Sequence, residues 1–172
     1  PVVSSAASDV YKRQVLSPVL TTSLYFIVFG SVIGGYVEKI DGISYGSYIV
    51  PGLLMLTLLT QSISNTSFGI FFPKFNGTIY EILAAPISTL EVVLAFVGAG
   101  ATKTLIVSII IFITSLFFVD VQVKYPLLMI FLLILVAFTF ALFGFLIGLI
   151  SSDFEQMSII PTLFVTPMVF LG

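Results

Sequence analysis

Apolar and polar positions alternate along this chain on the scale of whole helices. Long apolar runs cover residues 15–37, 47–72, 89–118, 127–150 and 154–172, and short polar stretches separate them. A run of about 20 apolar residues is long enough to cross a bilayer core of roughly 30 Å as a helix. The pattern therefore predicts five membrane-spanning helices. Pro18 and Pro51 fall early in the first two spans, where a missing N–H costs little. Span three holds 30 residues. That is roughly 45 Å of helix, longer than the bilayer core, so its start is expected in the interface. Pro161 and Pro167 are expected to bend span five.

Between spans two and three lies a polar-edged insert, Pro73 to Glu91. Its Asn76-Gly77 pair reads as a turn. Thr78-Ile-Tyr-Glu81 then fits a capping box, in which the hydroxyl and the carboxylate satisfy free N–H groups at a helix start. Pro86 disfavours helical geometry before it, so the short helix should end near Ala85. Ser88-Thr-Leu-Glu91 repeats the box at the start of span three, and Ser152-Asp-Phe-Glu155 repeats it at the start of span five.

Composition narrows the class. The chain is 59% hydrophobic and 8% charged, against about 25% charged in soluble domains. This is a polytopic all-α membrane protein. With no Cys and no His, it lacks thiol nucleophiles, histidine bases and the usual zinc ligands. The formal net charge of −2 offers no basic patch, so nucleic acid is not an expected partner. Residues 1–14 are polar, and the string SAASDVYKRQ within them resembles translated sequencing-adapter read-through. They are set aside as a non-native scar; the alternative is a native amphipathic entry segment. Residues 15–172 form the one domain, expected to be incomplete at its C-terminal end.

Each polar feature carries a bland and a functional reading. Lys103 is the ionisable residue well inside a span, which points to gating or substrate contact; a lysine near the interfacial end can instead snorkel to the headgroups. Around it, Gly98-Ala-Gly-Ala-Thr-Lys-Thr104 fails the phosphate-loop pattern, because Val97 and Thr102 stand where the glycines must be. Thr57, Gln61, Ser64 and Asn65 place polar groups on span two. With Lys103 they are candidates to line a translocation path, or else they bond helix to helix. Ala137, Ala141, Gly144 and Gly148 form a small-residue packing stripe on span four, with the partner helix left open between this chain and a second copy. Glu38 with Asp41, and Asp153 with Glu155, are loop charges or helix caps without a nucleophile or metal partner. No metal or cofactor site is expected.

Several stretches together resemble the ABC-2 type permeases. They are Leu16-Ser-Pro-Val-Leu-Thr-Thr-Ser-Leu-Tyr-Phe-Ile-Val-Phe-Gly30, Tyr48-Ile-Val-Pro-Gly-Leu-Leu54, Lys74-Phe-Asn-Gly-Thr-Ile-Tyr-Glu-Ile-Leu-Ala-Ala-Pro-Ile-Ser88, Asp153-Phe-Glu-Gln-Met-Ser-Ile-Ile-Pro-Thr162 and Thr166-Pro-Met-Val-Phe-Leu-Gly172. The resemblance implies a six-helix bundle of which five helices are present, the sixth helix and an external re-entrant segment being absent. It implies two permease copies, identical or different, working with two separate ATP-binding subunits in a bacterial or archaeal inner membrane. Thr78, Ile79, Tyr80, Glu81, Ile82 and Leu83 would form the cytoplasmic coupling helix, with Ile79, Ile82 and Leu83 as its apolar side and Tyr80 and Glu81 available to the ATP-binding subunit. The chain would not itself be an enzyme; it would supply the path and lever of an ATP-driven exporter by alternating access. The family topology puts Lys74 and Lys103 inside and Lys39 and Lys124 outside, so lysine placement does not fix orientation. A channel or secondary carrier without an ATPase is the alternative function; it would need no docking helix. A membrane enzyme is a third, weakened by the absence of His and Cys.

Overall fold

A computed structural model describes residues 16–25, 27–28, 39–40, 43–119 and 123–171. The expected scar at residues 1–14, residues 29–37 of the expected span one, and both Glu38 and Asp41 lie outside these. Residues 16–25 are helical, α1. A two-residue ladder follows, β1 (Lys39–Ile40) paired antiparallel with β2 (Ile43–Ser44). Then come α2 (Tyr45–Asn76), α3 (Ile79–Ala84), α4 (Thr89–Phe118), α5 (Pro126–Ile150) and α6 (Phe154–Leu171). Helices α2, α4 and α5 are each long and apolar enough to cross a membrane. The small β ladder was not expected from the apolar pattern, because two residues per strand leave no periodicity to read.

The helix boundaries follow local chemistry. Helix α2 starts two residues before the expected Ser47, because the Ser44 hydroxyl accepts a bond from the Ser47 N–H at 3.3 Å and acts as an N-cap. It also runs past Phe72, its expected limit, through Pro73 to Asn76. The stop is Gly77, whose φ of +79° is the left-handed conformation that closes a helix and favours glycine. Helix α5 opens with Pro126 at its first position, where no N–H is needed. Helix α6 continues through Pro161 and Pro167.

Only one of the three expected capping boxes forms. The Ser88 N–H and hydroxyl donate to the Glu91 carboxylate at 2.8 and 2.9 Å, and the Glu91 N–H donates back to the Ser88 hydroxyl at 3.3 Å. At Thr78 the backbone is already helical (φ −65°, ψ −15°), so its hydroxyl cannot turn onto the α3 N–H groups and makes no cap bond. It donates instead to the Pro73 carbonyl at 3.4 Å. At the third site the residue reaching back is Gln156, not Glu155: its side-chain oxygen accepts from the Ser152 N–H at 3.1 Å.

The chain divides into two compact units, Pro1–Thr57 with Ile106–Lys124, and Leu58–Leu105 with Tyr125–Gly172. In the first, Val50, Leu54, Val107 and Ile111 form a buried cluster, with Val19, Ile49, Leu53 and Phe112 against it. In the second, Leu58, Ile70, Val97, Ala101, Ala137, Ala141 and Phe145 make the core. Here the stripe Ala137, Ala141, Gly144 and Gly148 is buried, and its partner is α2 of the same chain. A Cβ on Gly144 would lie 2.8 Å from the Ile63 Cα, and one on Gly148 would lie 2.6 Å from the Ser67 carbonyl oxygen. Absence of a side chain is what lets the two backbones approach so closely. The Ser67 hydroxyl then donates to the Gly144 carbonyl at 2.8 Å. Ile147, beside the stripe, is also buried.

Candidate functional site

Helix α3 connects two spanning helices through tight turns. The Gly77 N–H donates to the Lys74 carbonyl at 3.4 Å, and the Tyr80 N–H donates to the Gly77 carbonyl at 3.2 Å. The helix ends at Ala85, which is extended (ψ 147°) as a residue before proline should be. None of its residues is fully buried. Ile79 packs against the core cluster and Ile82 is half-buried. Tyr80 is 73% exposed, Leu83 is 66% exposed, and Glu81 is exposed. The apolar side is thus narrower than Ile79, Ile82 and Leu83 together: Leu83 belongs to the open face with Tyr80 and Glu81. That open face is short and lies between the turn at Gly77 and the extended Ala85.

The polar residues of α2 separate into groups. The Thr57 hydroxyl donates to the Leu53 carbonyl at 2.8 Å within its own helix. The Asn65 amide reaches the Gln61 side-chain oxygen at 3.5 Å and the Thr104 hydroxyl on α4 at 3.3 Å. Thr104 in turn donates to the Gly100 carbonyl at 2.9 Å. Gln61, Asn65 and Thr104 are therefore a hydrogen-bonded chain that ties α2 to α4. Close by, Gly100 gives way to Thr66, whose Cβ would lie 3.0 Å from a Cβ on Gly100. Ser64 and Lys103 are half-buried and take no part in this chain. Among the described residues no group of acidic side chains could hold a metal ion.

Lys74 has a role that the sequence pattern did not suggest. Its Nζ donates to the carbonyls of Leu149 and Ser151 at 2.6 and 2.8 Å, closing the C-terminal end of α5. Nearby, Phe154 meets Phe71 and Phe75 edge-on, with ring centroids 4.9 and 5.0 Å apart. The sequence carries a weak signal for it, a lysine in the last turn of an apolar helix, where cations suit the helix dipole. Its actual partners are 75 and 77 residues away.

Apolar helices of spanning length, interhelical polar contacts and an open helix between two of the long apolar helices define a multi-pass helical membrane protein. The chain belongs to the ABC-2 type transporter family, whose sequence model matches residues 10–172. It is 37% identical over 163 residues to the inner membrane transport permease YadH of Escherichia coli strain K12, an alignment covering 95% of this chain and 64% of YadH. The YadH proteins of Escherichia coli O157:H7 and Shigella flexneri match to the same extent. The chain thus spans 64% of the length of these curated relatives. No solved structure matches it. It is a chain of a transporter family with three helices, among the described residues, long and apolar enough to cross a membrane.

Proposed function

We propose that this chain is the membrane-spanning permease of an ATP-driven exporter, with five spanning helices here of a six-helix bundle, α1 and α6 adding to the three long apolar ones. A separate ATP-binding subunit docks on α3, and two permease copies enclose the route. The observation that carries this is α3 itself. A six-residue helix between two spans keeps Ile79 against the core and turns Tyr80 and Glu81 outward. A channel or a secondary carrier has no use for such a projection. YadH, by its name, is a transport permease, and the family likeness carries the same sense to this chain. The same reading leaves Ser64 and Lys103 as members of the candidate set that can face the route, since Gln61 and Asn65 are engaged in holding α2 to α4.

The test is ATP turnover by the purified complex of full-length permease and the ATP-binding subunit encoded with it. Glu81→Lys places positive charge in the first turn of α3, at the positive end of the helix dipole. It should leave membrane insertion intact and lower the turnover that the permease confers on the subunit. A subunit whose turnover is indifferent both to the permease and to Glu81→Lys would favour a carrier without an ATPase.

A further inference from the structure

We propose that Lys74 is a positioning residue that carries movement of α3 to the corner between α5 and α6. This rests on the coupling reading of α3.

The geometry is specific. Helices α2 and α5 both end at this place, at Asn76 and Ile150. Each helix end leaves carbonyls without intrahelical partners and carries roughly half a negative charge. Two such ends side by side repel. The Lys74 ammonium, in the last turn of α2, lies against the end of α5 and bonds the Leu149 and Ser151 carbonyls. The Ser151 N–H and hydroxyl meanwhile both donate to the Ile147 carbonyl, at 2.9 and 2.8 Å, so the corner is held from its own side too. Phe154, the first residue of α6, is wedged against Phe71 and Phe75 of α2. The end of α2 and the α5–α6 corner are therefore one unit, fastened by an ion–dipole contact and an aromatic contact.

That unit reaches α3 through a very short link. Gly77, in its left-handed conformation, and Thr78 are all that separates α2 from α3. A push on the open face of α3 moves Gly77 and the last turn of α2. Lys74 then passes the displacement to the Leu149–Ser151 carbonyls, the place from which α5 and α6 diverge.

The experiment is hydrogen–deuterium exchange on the full-length permease in complex with its ATP-binding subunit, with and without a non-hydrolysable ATP analogue. Lys74→Met keeps the length and removes the donors; Lys74→Arg keeps donors. In Lys74→Met without nucleotide, amides of 151–157 should exchange roughly tenfold faster or more, the scale of a lost hydrogen bond from a charged donor. With the analogue, wild type should change exchange at both α3 and 149–157. Lys74→Met should keep the response at α3 and lose it at 149–157, and Lys74→Arg should restore it. Unchanged basal exchange at 151–157 in Lys74→Met overturns the bond itself. Faster basal exchange with a nucleotide response at 149–157 equal to wild type overturns the transmission and leaves only a helix cap. A Lys74→Arg that behaves like Lys74→Met overturns the donor role. A wild-type complex in which the analogue leaves α3 unaffected overturns the coupling reading, and the transmission with it, while the basal exchange still decides the bond.

Discussion

Gly144→Ala should destabilise the bundle, although alanine is the better helix former. The added Cβ would meet the backbone of Ile63, lying against its carbonyl oxygen, 2.8 Å from its Cα and 3.0 Å from its carbonyl carbon. Carbon atoms pack comfortably at about 3.5–4.0 Å, so α5 must draw back from α2 by roughly 1 Å. Backbone cannot escape by changing rotamer, as a side chain could. Overpacking of this kind costs about 1–3 kcal/mol. The same retreat stretches the 2.8 Å bond from the Ser67 hydroxyl to the Gly144 carbonyl, worth about 0.5–1.5 kcal/mol. Against these, alanine gains about 0.8–1.0 kcal/mol over glycine in a helix. The balance is a loss of about 1–3 kcal/mol. Gly98→Ala is the control, since a Cβ on Gly98 has nothing within 4 Å; it should be neutral or stabilising. Thermal unfolding in detergent, followed by circular dichroism, measures both. A lower Tm for Gly144→Ala, by roughly 2–4 °C per kcal/mol, fits the close approach of α5 to α2. A Gly144→Ala protein that unfolds at or above the wild-type temperature would refute it.

The two expected capping boxes around α3 and α4 should respond differently. Ser88→Ala removes a cap that forms and should cost about 1 kcal/mol, with faster amide exchange at 88–92. Thr78→Ala removes a hydroxyl that makes no cap bond to α3 and only a long one to the Pro73 carbonyl, and should stay within about 0.5 kcal/mol of wild type; equal losses would mean that the Thr78 cap forms after all. Asn65→Ala breaks the Gln61–Asn65–Thr104 chain and should cost about 0.6 kcal/mol, the usual worth of an interhelical side-chain bond in a membrane. In a double-mutant cycle with Thr104→Ala, a coupling energy of zero would sink that link.

The long helices were legible because hydrophobic length is a property of the sequence alone. Helices α4 and α5 begin and end within a residue of where the apolar runs do. Helix α2 was misjudged at both ends for local reasons. Ser44 caps it from within the loop, and α2 continues through Pro73, whose missing N–H leaves the Gly69 carbonyl without its helical partner, until Gly77 turns the chain. Capping boxes were over-read, since the motif gives the residue types but not the extended backbone that Thr78 would need. The small-residue stripe showed which face of α5 packs. It did not show the partner, because Ile63 and Ser67 look like any other residues of an apolar helix until the chain is folded. Lys74 was the least legible. Read along the chain it is one lysine at the edge of a span; its meaning comes from two carbonyls at the far end of another helix. The open face of α3 was half-legible: Tyr80 and Glu81 were placed outward, whereas Leu83, at a helical spacing from Ile79, was expected inward and is exposed.

The central claim is that an ATP-binding subunit seats on α3, and a cross-link measures it most directly. These 172 residues contain no cysteine, so Tyr80→Cys supplies a thiol unique within them, on the open face where the native side chain is 73% exposed. In the full-length permease, a thiol-anchored photo-cross-linker at that position should join the permease to its ATP-binding subunit. The same linker at a cysteine replacing Leu127, a residue 82% exposed at the start of α5, should not. Efficient cross-linking from position 80 and none from 127 is the predicted result. A complex that forms yet never cross-links from position 80 would contradict the assignment of α3 as the docking helix.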